Sequence, residues 1–303
     1  MITKIESFIF KNSISINRTL VIKLITVFAL VNILTVLPDV FHIFSDQGII
    51  KSQVNQRYAF WYQPVLNWFF KSFSYFGLNA NATLLVFIFI YISSLIAILL
   101  NFKRTGFAFV AWFIHFTLIN SAYLFSYGAD YFMSFTLFIN LAVCSSLLFK
   151  KDIQSSLYSF IIRFLQIHLC LVYFFAGLGK ALGTDWIDGN AIWFVINTYT
   201  SDSVIENSLP LIAYPMFFKI LGWGTVALEL LYPILMFTKF SRKVTLWLVV
   251  LLHIGIAVFM EFYTFGSIMI LLNFIAFGQH LKLKFIEKIN IKIKTKSLET
   301  RGV

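Results

Sequence analysis

Few residues in this chain can do chemistry, and most of them sit inside apolar runs. The richest stretch is 163–193, RFLQIHLCLVYFFAGLGKALGTDWIDGNAIW, which holds Arg163, Gln166, His168, Tyr173 and Lys180. A charged residue at bilayer depth costs about 3 kcal/mol to insert, so it must face the bundle interior and find a partner. Gln166, Tyr173 and Lys180 are seven residues apart. Around a helix they drift by only about 20° per step, so they form one polar stripe. Gly177 and Gly179 remove bulk just before the lysine, which permits close approach of another helix or of a ligand. Two readings of Lys180 stand. Its head snorkels to the headgroup zone, or a dry pocket disfavours its charge and leaves an amine that serves as a base at neutral pH.

Glu229 and His253 are the other deep titratable groups. Each lies nine residues or so from the cytoplasmic end of its run, roughly 14 Å deep at the helical rise. His168 falls near the same level, and Arg163 a turn or more closer to the cytoplasm. This arithmetic permits one buried cluster of Arg163, Gln166, His168, Glu229 and His253. It equally permits several separate contacts in which polar side chains hold helices together. Two histidines and a glutamate suit zinc chemically, but no H-E-x-x-H or E-x-x-H spacing is present, so no metal is expected. There is no phosphate-binding glycine loop and no G-x-S-x-G elbow. Cys144 and Cys170 lie in apolar runs without a C-x-x-C spacing and read as small core residues. His42, His115, Asn32 and Asn120 are isolated and receive no role.

The elements that must position these groups follow from composition. The 303 residues are 59% apolar and only 12% charged, about half the 25% or so of a soluble domain. The mean hydropathy is +0.84. A water-soluble globule and a disordered chain are both excluded; the expected fold is an all-α, polytopic membrane helical bundle. Runs long enough to cross the hydrocarbon, roughly 20 residues each, fall at 19–42, 83–100, 107–127, 131–149, 157–182, 216–237, 244–260 and 264–278. Lys and Arg flank every other connection, as at Lys103 and Arg104, Lys150 and Lys151, and Lys239, Arg242 and Lys243. That alternation predicts about eight transmembrane helices with the N- and C-termini both cytoplasmic.

The +11 net charge follows the same pattern, since seven of the 24 Lys and Arg lie in the last 22 residues. It marks cytoplasmic loops and a basic tail over 281–303 rather than a nucleic-acid surface. The bundle itself occupies 1–280. Two longer outer segments, near 43–82 and 183–215, are rich in Trp, Tyr and Phe, and interfacial or re-entrant helices are expected there.

The run Arg163-x-x-Gln166, Tyr173-Phe-Phe-Ala-Gly-Leu-Gly-Lys180, Asp185-Trp186 and Asp188-Gly189-x-Ala191 resembles the signature of the HTTM (horizontally transferred transmembrane) family. That family's transmembrane region is shared with vitamin K-dependent gamma-carboxylase. Further matches follow in order: Tyr214-Pro215, Glu229 with Pro233, His253-x-Gly255, Phe265 and Met269. Pro38-Asp39 and Asp46-Gln-Gly48 resemble the first outer loop. The resemblance implies a membrane enzyme in which Lys180 is the base that deprotonates a quinone-type cofactor such as vitamin K hydroquinone or menaquinone. Glu229 and His253 would then act beside it, with Gln166, Tyr173, Gly177 and Trp186 holding the cofactor and Arg163 and His168 as structural polar residues. Two departures separate this chain from the carboxylase. No counterpart of its large luminal domain follows the spans, and the 120–130 connection has no histidine.

The chain is also similar to short bacterial proteins of the SdpB type, which implies a different role. Such a protein is a non-enzymatic accessory in the maturation or export of a secreted antimicrobial peptide, working with that peptide or a co-encoded maturation protein. A transporter is a third and weaker reading, because inverted repeats are not apparent. Each reading places the chain in the cell membrane, with the lipid bilayer as its first partner.

Overall fold

The computed structural model describes residues 6, 8–10, 16–45, 48–51, 54, 55, 57–199 and 215–278. Asp46, Gln47 and Tyr214 of the family-like motifs, and the basic tail 281–303, lie outside the described residues. Among the described residues every regular element is helical. The chain divides into two compact units, 17–161 and 1–16 with 162–303, and the division falls within one long helix.

The first unit contains α1 (Arg18–Val36), a 3-10 turn (Leu37–Asp39), α2 (Val40–Phe44), α3 (Leu66–Ser74), α4 (Ala80–Leu99), α5 (Arg104–Ser121), α6 (Gly128–Ser146) and the start of α7 (Lys151–Ala181). Local chemistry sets the helix starts. The Asn17 carboxamide oxygen accepts from the Thr19 and Leu20 amides, and that of Asn79 from Ala82, satisfying donors that a helix N-terminus leaves open. Short connections make α4, α5 and α6 successive neighbours, and α1 packs against both α4 and α6. Val21, Ile22, Ile25, Ala29 and Ile33 of α1 are buried. Thr26 on the same face accepts a 3.1 Å hydrogen bond from Asn140 of α6.

The opposite face of α1 identifies the solvent. Leu24, Val27, Val31 and Leu34 recur at helical spacing and are all exposed. A helix apolar on both its packed and its outward face belongs in lipid, not in water. The same holds for Leu85 and Phe89 of α4 and for Leu171 and Phe175 of α7.

The second unit holds the rest of α7 with α8 (Thr184–Asp188), α9 (Ala191–Tyr199), α10 (Pro215–Phe237), α11 (Arg242–Phe259) and α12 (Tyr263–Phe277). α10 packs against α8, α9 and α11, and α11 against α12. Gly266 lets the last pair approach closely: a Cβ there would lie 2.6 Å from the His253 carbonyl oxygen. Residues 43–82 and 183–215 carry short helices, α3 in the former and α8 and α9 in the latter.

Among the described residues, six helices are long and apolar enough to cross a membrane: α1 continued through α2, α4, α6, α7, α10 and α11. The chain is a multi-pass helical membrane protein. Two of the eight expected spans fall outside that set. α12 is apolar but only 15 residues long, and α5 carries Arg104, His115 and Asn120 within its 18 residues. α7 begins at Lys151, earlier than its apolar run predicts. Gln154 donates to the carbonyls of Leu147 and Phe149, while Arg18 donates to Gln154 and Ser155. These bonds stabilise an extra polar turn that hydropathy alone does not register.

Candidate functional site

The candidate site lies wholly in the second unit and rises along α7. At its lower end, Arg163 Nη1 donates to Gln166 Oε1 at 2.8 Å, and Gln166 Nε2 donates to the Ala276 carbonyl at 2.5 Å. The Arg163 guanidinium sits over the Phe8 ring at 4.5 Å. Gln166 is buried and ties α7 to the end of α12. His168, two residues on, points to a different side of the helix, where it is half-buried and stacks near Phe164.

One to two turns higher, four helices meet at a polar core. Tyr173, Tyr232, His253 and Asn273 are each 2% exposed or less. His253 Nδ1 lies 2.8 Å from the Val249 carbonyl. A carbonyl only accepts, so Nδ1 carries the proton and Nε2 of the neutral ring accepts. The Tyr173 hydroxyl, 3.5 Å away, therefore donates to Nε2. Asn273 Nδ2 donates to the Tyr173 oxygen at 2.8 Å and to the Met269 carbonyl, and the Tyr232 hydroxyl donates to Asn273 Oδ1 at 2.6 Å. Every proton in this chain has a fixed direction, running from Tyr232 through Asn273 and Tyr173 to His253. The two tyrosine rings also stack, with centroids 4.1 Å apart.

A further turn up, α7 and α10 touch most closely. A Cβ at Gly177 would lie 2.7 Å from the Leu230 amide nitrogen and 2.9 Å from Glu229 Cβ. Only glycine fits, and that close approach brings Lys180 Nζ to 2.6 Å from Glu229 Oε2. The Glu229 side chain is 7% exposed and that of Lys180 25%. Pro233 lies within α10. It has no N–H to bond the Glu229 carbonyl one turn back, which loosens the helix at the turn that carries the carboxylate.

Beside the ion pair lies an apolar cleft of about 310 Å³, lined by Ala181, Trp186, Ile187, Trp223, Val226, Ala227 and Leu230. Its lining includes the chain neighbours of both Lys180 and Glu229. Lys180 Nζ also lies over the Trp186 ring at 5.4 Å. The Asp188-Gly189 turn sets α8 in place. Gly189 has φ +83 and packs so tightly on Lys219 that a Cβ would meet the lysine side chain at 2.6 Å. Trp223 Nε1 donates to the Ile187 carbonyl and ties α8 to α10.

The polar residues picked out in the sequence thus form three layers. Arg163 pairs with Gln166, Tyr173 with His253, and Lys180 with Glu229, while His168 packs near Phe164 instead. Glu229 finds its ion partner above it on α7 rather than in Arg163 below. Sequence reasoning passed over Tyr232, Asn273 and Gly266. Asn273 had a usable signal, a lone amide in the otherwise apolar run 264–278. Among the described residues, no three His, Cys, Asp or Glu side chains come together as a metal site would require. The chain matches no family model, no curated protein and no solved structure.

Proposed function

We propose that the Lys180–Glu229 pair is the reactive centre of a membrane enzyme that uses a lipophilic, quinone-type cofactor. The observation that carries this reading is a charged pair, 2.6 Å apart, at the edge of an apolar cleft lined by two indoles. The lining suits such a group: Trp186 and Trp223 offer flat apolar faces, Ala181, Ala227 and Leu230 add apolar wall, and Lys180 and Glu229 are the chain neighbours of Ala181 and Leu230. A bound hydroquinone would supply an acidic hydroxyl and two reducing electrons.

The chain's own part is to move a proton. Transfer from Lys180 Nζ to Glu229 Oε2 converts ammonium and carboxylate into neutral amine and neutral acid, and charge balances at every stage. A low-dielectric setting favours the neutral pair more than water does. The free Nζ lone pair is then the proton acceptor at the cleft. Trp186 holds Nζ from one side, and the Tyr173–His253–Asn273–Tyr232 layer fixes the two helices that carry the pair.

The resemblance to the HTTM family supports the same assignment of Lys180. The alternation of basic connections supports a topology of eight spans in the cell membrane with both termini cytoplasmic. In that topology reporter fusions at Lys103, Lys150 and Phe240 report the cytoplasmic side, and fusions at Gly128 and Phe262 the opposite one.

The deciding experiment is mass spectrometry of the lipophilic small molecules retained by protein purified in mild detergent. The wild type is compared with Lys180→Met/Glu229→Gln, which removes both charges together and so leaves neither buried alone. A quinone-class species enriched on the wild type and lost on the variant is the expected result. Ordinary phospholipid alone on both overturns the enzyme reading and leaves the peptide-maturation role in its place.

A further inference from the structure

The first unit displays a second, unrelated feature at the end where α4 and α6 begin and α5 ends. The segment 57–76 is pinned there by its backbone and buried polar groups. Asn55 Oδ1 accepts from the Leu124 amide, Asn120 Nδ2 donates to the Pro64 carbonyl, and Ser121 Oγ accepts from the Leu66 amide. Tyr58 stacks on Tyr123 with centroids 5.1 Å apart. So fixed a frame could bury its aromatic rings, yet it presents them. Trp61 is 87% exposed, Tyr75 89% and Phe76 83%.

The exposed rings are ordered among themselves. Phe60 and Tyr62 stack at 5.5 Å, and Trp61 meets Tyr62 edge-on at 5.7 Å. Phe60 and Trp61 border a cleft of about 220 Å³ that also involves Val65 and Trp68. α3 repeats the pattern: it buries Leu66, Asn67 and Phe70 and turns Trp68, Lys71, Ser72 and then Tyr75 outward.

Charge selects the occupant. Between Asp46 and Asp130 the sequence has no acidic residue, while Lys51 precedes the segment, Arg57 and Lys71 lie in it, and all three are exposed. Arg57 stands two residues before the cleft, and Lys71 one helical turn past Trp68. Rings with a polar edge and cations on apolar stems match the headgroup zone of a bilayer. Among the described residues no ion pair engages Arg57 or Lys71, so these cations favour an anionic headgroup over a zwitterionic one. In the eight-span topology this end faces outward, where positive charge is not the topological signal.

We propose that this end of the first unit is a binding site for an anionic phospholipid. Phe60, Trp61 and Trp68 take the glycerol and upper acyl region, and Arg57 and Lys71 take the phosphate. The site is independent of the Lys180–Glu229 cleft and of any reading of it.

Native mass spectrometry of the full chain in mild detergent tests the proposal, with phosphatidylglycerol and phosphatidylcholine added separately at equal concentration. The expected result is a lipid adduct that forms preferentially with phosphatidylglycerol. Arg57→Gln and Lys71→Gln should each weaken it about fivefold, the worth of one basic side chain near an anionic surface. Trp61→Ala should weaken adducts of both lipids, because it removes apolar contact and not charge. All three side chains are exposed, so the variants keep the packed frame. Equal adducts of the two lipids, or variants that leave the phosphatidylglycerol adduct unchanged, overturn the proposal. A dimer abolished by Trp61→Ala overturns it in favour of a second copy of the chain.

Discussion

Each compact unit buries one tyrosine against one histidine, and the two pairs differ in everything but residue type. In the first unit the Tyr91 hydroxyl lies 3.3 Å from His115 Nδ1, joining α4 to α5. His115 Nε2 has no well-formed hydrogen bond among the described residues. In the second unit His253 is fixed through both ring nitrogens, and Asn273 and Tyr232 extend the bond chain across four helices. One pair holds two neighbouring helices together. The other orders the helices that bring Lys180 to Glu229. Two lone mid-helix histidines therefore carry different weight because of what crosses from the other helices.

The largest expected effect concerns the ion pair that the ordered layer supports. Glu229→Ala strands the Lys180 ammonium in a mostly apolar setting. Breaking a buried pair from one side costs about 3–5 kcal/mol, and the quarter exposure of Lys180 places this case at the lower end. Thermal unfolding in detergent should show a large drop for Glu229→Ala and a smaller one for Lys180→Met/Glu229→Gln. An equal loss for both would mean that the pair contributes shape and not charge.

Gly177→Ala comes next. Its Cβ would collide with backbone at Leu230, and overpacking of this kind costs about 1–3 kcal/mol. The variant should also separate Lys180 from Glu229, so retained activity with normal stability would contradict the close-approach geometry. Asn273→Leu removes the partner of two buried tyrosine hydroxyls. A destabilisation of about 1–2 kcal/mol is expected, since two polar contacts are lost and such contacts between membrane helices average roughly 0.6 kcal/mol and reach about 1.7.

The smallest effects test the comparison itself. A double-mutant cycle of Tyr173→Phe and His253→Phe should give a coupling near 0.6 kcal/mol or above, the usual value for such contacts. The matching cycle of Tyr91→Phe and His115→Phe should give less, because the 3.3 Å contact stands alone. Equal couplings would remove the distinction between the two histidines. Unfolding of the wild type and the six variants in one detergent supplies the numbers.

Much of the architecture could be read from residue order. Apolar runs located the helices to within a few residues, because the cost of burying unpaired backbone in lipid leaves helices as the way across for these sequences. The seven-residue spacing of Gln166, Tyr173 and Lys180 put them on one side of α7. The exceptions are instructive. The start of α7 moved to Lys151 because Arg18 and Gln154, far apart in sequence, bond there, and hydropathy contains no term for that. Similarly, depth arithmetic grouped Glu229 with Arg163, Gln166, His168 and His253 and left Lys180 apart, because depth specifies height only roughly and leaves azimuth open.

Composition and charge order alone established a membrane helical chain whose few buried polar residues had to find partners, since solvation cost depends on residue type and not on neighbours. Which partners they found was settled by packing. Gly177 and Gly266 allow two helix pairs to approach to distances no other residue permits. That approach set Lys180 on Glu229 and aligned Tyr232, Asn273, Tyr173 and His253 into one bond chain, because a hydrogen bond of 2.6–3.5 Å requires a particular rotation of each helix that sequence periodicity does not encode.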